Sequence, residues 1–353
     1  MTMARNETVP DGVEGVYHCI SRCVRRAFLC GFDSYSGKSF EHRKQWVQSR
    51  LKLMAEGFAV EILAFAVMSN HLHVVLKTKP DLTDSWDDEE IARRWLSVFP
   101  QNWAKGDAAA LAPSDIRSLT LNKGRLEVFR RRLGNLSWFM RCLNENIARR
   151  ANLEDGCKGR FWEGRFKCQA LLDDSAVFTC MAYVDINPIR AGIAASPETS
   201  LNTSIYLRIT ANQAQEKLRL AQSDDNAQAQ AIPPADIEAE KKKINLDSWL
   251  SPMTNNRVDS TTGVPGLGFT DYVNLLDWTG RQIREKARGS IPDNLEPILI
   301  RLRVERENWL ETVCNYKQLF SRATGREKSL RDAARRAGKS WFRGINSSRL
   351  AFS

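Results

Sequence analysis

The stretch Met68-Ser69-Asn70-His71-Leu72-His73-Val74-Val75-Leu76, which follows an apolar run over residues 58–67, determines the expected fold. Side chains alternate between the two faces of an extended strand, so both histidines share one face while the leucines and Val74 share the other. The chain has four histidines, and this strand would hold two of them a few ångströms apart. The pattern predicts half of a metal site, and its plain alternative is a half-exposed strand edge.

The residues on either side of this stretch predict a mixed fold. Residues 16–23 alternate as a strand, residues 40–55 have a helical pattern that ends at Gly57, and residues 58–67 and 72–76 form two strands or a hairpin. The order strand, helix, strand, strand is the first half of a ferredoxin-like unit. We therefore expect an α+β protein with a ferredoxin-like antiparallel sheet and helices on one face.

The rest of the chain is predicted to be mainly helical. Residues 80–132 have the pattern of a helical insert, and residues 133–151 and 175–187 have apolar positions at helical spacing. The second of these helices must end near Asn187, because Pro188 disfavours helical geometry in the residue before it. The expected organisation is a domain over 13–209, a linker over 210–243 and a basic, helix-rich C-terminal domain over 244–353.

Charge and composition favour a nucleic-acid partner. The 353 residues include 52 Lys and Arg against 42 Asp and Glu, which gives a net charge of +10. Such an excess favours polyanions, with nucleic acid first and acidic membrane surfaces second. Apolar runs stay well short of the roughly 18 residues that a membrane span needs, and the N-terminus is polar. We therefore expect a cytoplasmic protein that makes no use of a membrane.

The eight cysteines include no C-x-x-C pair and suit a reducing compartment. A zinc site built from His18 with Cys19, Cys23 and Cys30 is an alternative, although its spacing fits no standard zinc pattern.

Tyr183 and Asn187 are four residues apart and so lie on one face of the predicted helix. If that face meets the strand of His71 and His73, the site holds two neutral imidazoles, a side-chain oxygen and a phenol. Mixed nitrogen and oxygen ligands with open positions suit Mg²⁺ or Mn²⁺ acting on a phosphodiester better than structural zinc. A phenol with a pKa near 10 is a poor nucleophile at pH 7 and needs such activation. The alternative for Tyr183 is an amphipathic tyrosine at the edge of the core.

Four stretches together resemble a known family. These are Tyr17–Arg22, Met68–Leu76, Gly159–Lys167 and Tyr183–Gly192, and they lie within residues 13 to 200. In this order they are similar to the single-tyrosine HUH (His-hydrophobe-His) transposases, in particular the branch of REP-associated tyrosine transposases. The insert at 80–132 and the residues after 210 depart from the compact pattern of that family.

The resemblance implies an HUH nuclease core in which His71 and His73 bind the divalent metal and Tyr183 is the nucleophile. Asn187 would stand at the position of the third ligand. Members of the family act on single-stranded DNA near imperfect hairpins, such as those of repetitive palindromic elements, and leave a 5′-phosphotyrosine and a free 3′-OH.

Residues 160–167 alternate aromatic with basic side chains, a combination typical of single-strand binding. We expect Trp162 to stack on bases while Arg160, Arg165 and Lys167 meet phosphates. Further candidates for DNA contact are Arg22, Arg25, Arg26 and Arg190. The alternative is that the aromatic residues belong to the core and the charges form a solvated face.

Three functions remain open from the sequence, and the third is a structural protein stabilised by zinc at His18 and the N-terminal cysteines. The first is a transposase that cleaves and transfers hairpin-bearing single-stranded DNA, is associated with the nucleoid, and acts as a monomer or homodimer. The second is a non-catalytic protein, derived from a transposase, that binds hairpins of DNA or RNA. The basic residues of 244–353 predict additional DNA contact there, with a dimerisation or partner module as the alternative.

Overall fold

The structure is a computed structural model that describes residues 10, 12–24, 29–33, 37–99, 112–222, 234–253, 268–285, 299, 304 and 307–352. Within these residues, five strands form one mixed sheet in the order β4-β5-β1-β6-β7. Two strands of two residues each, β2 and β3, pair as a separate antiparallel sheet. The strands are β1 (Gly15–Arg22), β2 (Phe32–Asp33), β3 (Lys38–Ser39), β4 (Val60–Val67), β5 (His71–Thr78), β6 (Lys167–Leu171) and β7 (Ala323–Thr324).

The α-helices of the described residues follow in chain order. They are α1 (His42–Gly57), α2 (Asp88–Val98), α3 (Pro113–Thr120), α4 (Lys123–Leu133), α5 (Leu136–Glu154), α6 (Asp174–Asp185), α7 (Asn187–Arg190), α8 (Ser204–Gln222), α9 (Pro234–Ile244), α10 (Phe269–Glu285), α11 (Trp309–Cys314), α12 (Tyr316–Leu319), α13 (Glu327–Arg336) and α14 (Ile345–Ala351). The protein is therefore of the α+β class, as predicted.

The histidine strand lies in the interior of the sheet. β5 pairs with β4 as a hairpin and with β1 on its other side, and both pairings are antiparallel. In this register Ile20 lies opposite His73 and Arg22 lies opposite His71. The pairing places the start of β5 and the end of β1 at the same end of the sheet.

One face of the sheet packs on α1 and α5. The alternate residues Leu72, Val74 and Leu76 of β5 belong to the same buried cluster as Val47 and Leu51 of α1. These two α1 residues lie one helical turn apart, so both point at the sheet. This half of the core follows directly from the strand and helix periodicities in the sequence.

The other face is also covered, which corrects the prediction of helices on one face only. Val75 of β5 and Ala64 and Ala66 of β4 pack in a second buried cluster with α6, α10 and α11. β4 is apolar on both faces, so a cover on one side alone would leave half of it in water. The sheet is also not wholly antiparallel, because β7 joins β6 in parallel at the edge.

The C-terminal residues are part of this second layer. Trp309 and Tyr316 are buried in the cluster that contains α6, and β7 extends the sheet. The predicted boundary at residue 209 falls inside α8, and residues 210–222 and 234–243 of the predicted linker are helical. The predicted division into two domains is therefore not visible as a break in packing among the described residues.

The segment predicted as a helical insert contains α2, α3 and most of α4, and its residues 100–111 lie outside the described residues. Of the described helices, none has the length and apolar character that crossing a membrane requires.

Candidate active site

A cleft of about 440 Å³ opens at the end of the sheet where β1 and β5 meet. His71, His73 and Tyr183 line it together. β5 supplies the two histidines from one face of the strand, and α6 supplies the tyrosine from the helix packed on that face. The rings of His71 and His73 have centroids 4.7 Å apart, and those of His73 and Tyr183 are 5.7 Å apart.

The ring of His71 is oriented by its neighbour in the chain. Its Nδ1 lies 2.6 Å from Oδ1 of Asn70, so the ring donates its Nδ1 proton to the amide oxygen. The lone pair of the neutral ring is then on Nε2. Such an outer hydrogen bond, which fixes the tautomer, is the usual arrangement around a metal-ligating histidine.

His73 is held by a buried chain of hydrogen bonds. Its Nδ1 lies 2.9 Å from Nε2 of His18, and its Nε2 lies 3.2 Å from Nδ2 of Asn187. His18 also bonds to the side chain of Gln169 on the neighbouring strand β6. One proton arrangement satisfies all four side chains: His18 donates to the Gln169 oxygen, His73 donates to His18, and Asn187 donates to His73.

Burial keeps these imidazoles neutral. It lowers the pKa of His71 to about 4, with further lowering by the charges of Lys317 and Arg22. Burial also lowers the pKa of His18 to about 4, although the bond to Gln169 works against it. The pKa of His73 is lowered well below its ordinary value, again chiefly by burial. A neutral imidazole can bind a metal at pH 7 without first losing a proton.

Tyr183 occupies the last turn of α6 and is 5% exposed. Its ring stacks on that of Tyr316 with centroids 5.0 Å apart, and the guanidinium of Arg190 lies 4.9 Å from the ring centre. The ring is therefore fixed between the histidines and the C-terminal residues. Although the Tyr183 side chain is packed, part of it still lines the cleft.

The sequence of α6 explains where this helix starts and stops. Asp173 caps its start by accepting a hydrogen bond from the backbone of Ala176 (3.1 Å). The helix ends at Asp185, two residues earlier than predicted, and Asn187 begins the short helix α7 with Pro188 in its first turn. Asn187 still follows Tyr183 by one turn of chain and, at 8% exposed, reaches His73.

Three of the predicted DNA-binding residues line the cleft. Arg22 extends from β1, Arg165 precedes β6 and Lys167 begins it, and all three are exposed. Arg22 forms an ion pair with Glu163 at 3.3 Å, and this glutamate lies in the same lining. The cations therefore form a rim on one side of the histidines.

Three other predicted DNA-binding residues are placed differently, and Arg25 and Arg26 lie outside the described residues. Trp162 is 9% exposed and donates from Nε1 to the carbonyl of Asn144 (2.8 Å), so it is a core residue and its faces are closed to a base. Arg190 donates to the carbonyl of Cys314 (2.7 Å) and is engaged with Tyr183, not with the rim. Arg160 is exposed and lies outside the cleft lining, beside the carbonyl of Glu163.

The alternative zinc site does not form. Successive residues of a strand point to opposite faces, and accordingly His18 lies on the α6 side while Cys19 packs with α1 and α5. Among the described residues, no group of three His, Cys, Asp or Glu side chains could hold a metal ion. A metal in the cleft would have to use the amide of Asn187 beside the two histidines.

Sequence reasoning missed four participants in the site: His18, Gln169, Tyr316 and Lys317. His18 carried a usable signal, because it alternates with Ile20 and Arg22 on one face of β1, but the strand order that places it beside His73 could not be deduced. The two C-terminal residues carried no signal, since only long-range packing brings them to Tyr183.

Comparisons with known proteins add little to this geometry. No protein-family model and no curated protein matches the chain. A solved structure of a REP-associated tyrosine transposase bound to a REP hairpin matches 59% of this chain and 86% of its own length, at 14% sequence identity and a TM-score of 0.35. At that similarity it establishes neither the detailed fold nor the function of this chain.

Proposed function

We propose that the cleft is the active site of a metal-dependent transposase of the single-tyrosine HUH type, which cleaves and rejoins single-stranded DNA that carries hairpins. The observation that carries the proposal is the convergence of His71, His73 and Tyr183 on one cleft with a cationic rim. The four sequence motifs that resemble this family add support. So does the sheet, where β1, α1, β4 and β5 follow the ferredoxin-like order of elements.

The donor set fits Mg²⁺ or Mn²⁺. His71 and His73 offer neutral imidazole nitrogens, and Asn187 lies 3.2 Å from Nε2 of His73. Turning the Asn187 amide about its last torsion presents Oδ1 in place of Nδ2, which gives two nitrogens and one oxygen. Among the described residues that line this cleft, Glu163 is the only one with a carboxylate, and it pairs with Arg22. When bound there, the ion would supply Lewis-acid polarisation of a phosphate and neutralise charge in the transition state.

The chain's own residues account for the rest of the reaction. Tyr183 gives up its hydroxyl proton to water, and its Oη forms a bond to phosphorus. The bond from phosphorus to the 3′-oxygen breaks, and that oxygen keeps the electron pair and takes a proton from water. The products are a 5′-phosphotyrosine and a free 3′-OH, and the reverse sequence rejoins a strand. Arg22, Arg165 and Lys167 would hold flanking phosphates by charge.

A second candidate is a non-catalytic protein that binds hairpins of DNA or RNA. The packing of the Tyr183 ring between Tyr316 and Arg190 favours it, because a nucleophile must reach phosphorus in line. Both candidates use the same cationic rim and differ in whether a covalent link forms.

The deciding experiment incubates the full chain with a pool of hairpin-bearing single strands that have randomised flanks, in Mn²⁺ or Mg²⁺. Denaturing electrophoresis then detects protein covalently joined to DNA, and sequencing identifies the cut site. We expect an adduct in the unmodified protein, its loss in Tyr183→Phe, and its retention in the control Tyr206→Phe, whose ring lies outside the cleft. An undiminished adduct in Tyr183→Phe refutes the assignment, and tight binding with no adduct supports the second candidate.

A further inference from the structure

The C-terminal part of the chain contributes a cation to the cleft that the sequence motifs do not include. Lys317 lies on α12 and lines the same cleft as His71, His73 and Tyr183. It is more than 130 residues beyond the tyrosine in the chain, outside every stretch that carries the family resemblance.

The backbone of Lys317 is held in place by the residue before it. Tyr316 is buried, stacks on the ring of Tyr183 and donates its hydroxyl proton to Oγ1 of Thr324 on β7 (3.0 Å). Lys317 itself is exposed, so a flexible stem extends from a fixed anchor beside the nucleophile. This is how a lysine is presented to a ligand as a movable point charge.

Lys317 lines the same cleft as both imidazoles, and its charge acts on both of them. Of the charges that lower the pKa of His71, the charge of Lys317 has a larger effect than that of Arg22. For His73 it likewise acts more strongly than Arg190 does. The charge of Lys317 therefore acts on both histidines across the cleft that they line together.

Among the described residues, none forms an ion pair or a hydrogen bond with the ammonium of Lys317. The carboxylate in the lining, Glu163, pairs with Arg22. The ammonium of Lys317 would repel a divalent cation bound by the two imidazoles. An anion bound between the ammonium and that cation would attract both and offset the repulsion. The anion that this arrangement fits is a phosphodiester placed against Tyr183.

We propose that Lys317 binds a non-bridging oxygen of the phosphodiester at the cleft, so that the C-terminal part of the chain completes the phosphate site together with Arg22 and Lys167. The inference rests on the proposed function, since it assigns a further residue to the same site. Lys317 neither gains nor loses a proton. Its charge offsets the negative charge that builds on the phosphoryl oxygens as the tyrosine oxygen approaches.

A binding experiment tests this without any cleavage. In a Tyr183→Phe background, the affinity for fluorescein-labelled dT20 is measured by anisotropy over a range of salt concentrations. Each phosphate contact to a single strand contributes about 0.7 to the slope of log affinity against log salt. We expect Lys317→Gln to flatten the slope by about 0.7 and to weaken binding about five-fold or more at low salt. Lys317→Arg should keep most of both.

The matched control is Lys328→Gln, which removes an exposed lysine on α13 outside the cleft and should leave slope and affinity unchanged. In the protein that retains Tyr183, Lys317→Gln should also slow adduct formation at saturating DNA by about 10-fold or more.

The two proposals fail separately. If Lys317→Gln and Lys328→Gln have the same slope and affinity, the phosphate contact is refuted, whether or not the Tyr183 protein forms an adduct. If Lys317→Gln flattens the slope while no adduct ever forms, the contact stands and the catalytic proposal falls.

Discussion

At the scale of single residues, the most informative side chain is His18, which does not line the cleft but bonds to a histidine that does. His18 is buried and sits between Gln169 and His73, so its tautomer sets the tautomer of His73. With His18 donating to Gln169, its Nε2 must accept, and His73 must donate from Nδ1. The lone pair at Nε2 of His73 then faces Asn187, on the side where a metal would bind. His18 is therefore a positioning residue.

The buried neutral state of His18 predicts how stability depends on pH. The pKa of His18 is about 4 in the folded protein and near 6.5 when unfolded. Between these values the unfolded chain binds a proton that the folded protein does not, so the free energy of unfolding falls as pH falls. The stabilisation is complete above pH 6.5, and up to roughly 3 kcal/mol is lost by about pH 4 from this group.

Urea unfolding of the metal-free protein from pH 8 to 4 measures this effect. Below pH 6.5, the free energy of unfolding should fall less steeply with pH in His18→Gln than in the unmodified protein. Above pH 7, residue 18 should contribute no pH dependence to the free energy of unfolding of either protein. Equal slopes below pH 6.5 would show that His18 is accessible to protons in the folded state.

At the scale of elements, α6 links Tyr183 to the C-terminal residues. Its N-cap Asp173 accepts one hydrogen bond from Ala176 within the helix and a second from the backbone of Arg326 (2.7 Å), at the start of α13. One carboxylate therefore fixes both the first turn of the helix that carries Tyr183 and the segment that follows β7.

Asp173→Ala should cost more stability than the loss of an ordinary cap. Removing a cap costs about 1 kcal/mol, and losing the charge-assisted bond to Arg326 as well brings the expected total to roughly 2–3 kcal/mol. Asp87→Ala is the matched control, because Asp87 caps α2 through Glu90 alone and is exposed. Chemical unfolding of both variants gives the comparison. Equal losses would mean that the bond to Arg326 contributes nothing measurable.

The elements also show what the sequence could and could not predict. Strand periodicity placed His71 and His73 on one face, and helical spacing brought Asn187 within one turn of Tyr183, because both patterns depend only on neighbouring residues. Trp162 was misassigned because alternation along 160–167 does not reveal which face is buried. The metal, the nucleophile and the DNA contacts stay predictions for the cleavage and binding experiments.

At the scale of the whole molecule, the C-terminal residues share the core of the sheet domain. Trp309 stacks on Phe178 of α6 with ring centroids 5.6 Å apart, and Tyr272 also packs on Phe178. Leu250 is buried and bridges to Ile62 of β4. The charge of residues 244–353 suggested a separate unit, but net charge does not reveal which apolar side chains pack across the molecule.

A chain that ends after residue 243 should therefore be strongly destabilised. It would expose the α6 face that Trp309 and Tyr316 bury, and each buried aromatic side chain covers roughly 150–250 Å². We expect the thermal midpoint to fall by at least about 10 °C, with binding of a dye for exposed apolar surface. Circular dichroism and dye fluorescence measure this. A shortened chain that unfolds at the midpoint of the full chain would show that the two parts are independent.

The position of Tyr316 and β7 late in the chain has a consequence for synthesis. The ribosome makes the histidine strand first, then the tyrosine helix, and only much later the residues that stack on the phenol ring and extend the sheet. A nascent chain therefore passes through an interval in which Tyr183 exists without the aromatic ring of Tyr316 that stacks on it. The cleft reaches its finished form only when residues 316–324 dock, so assembly of the site follows the synthesis of these residues.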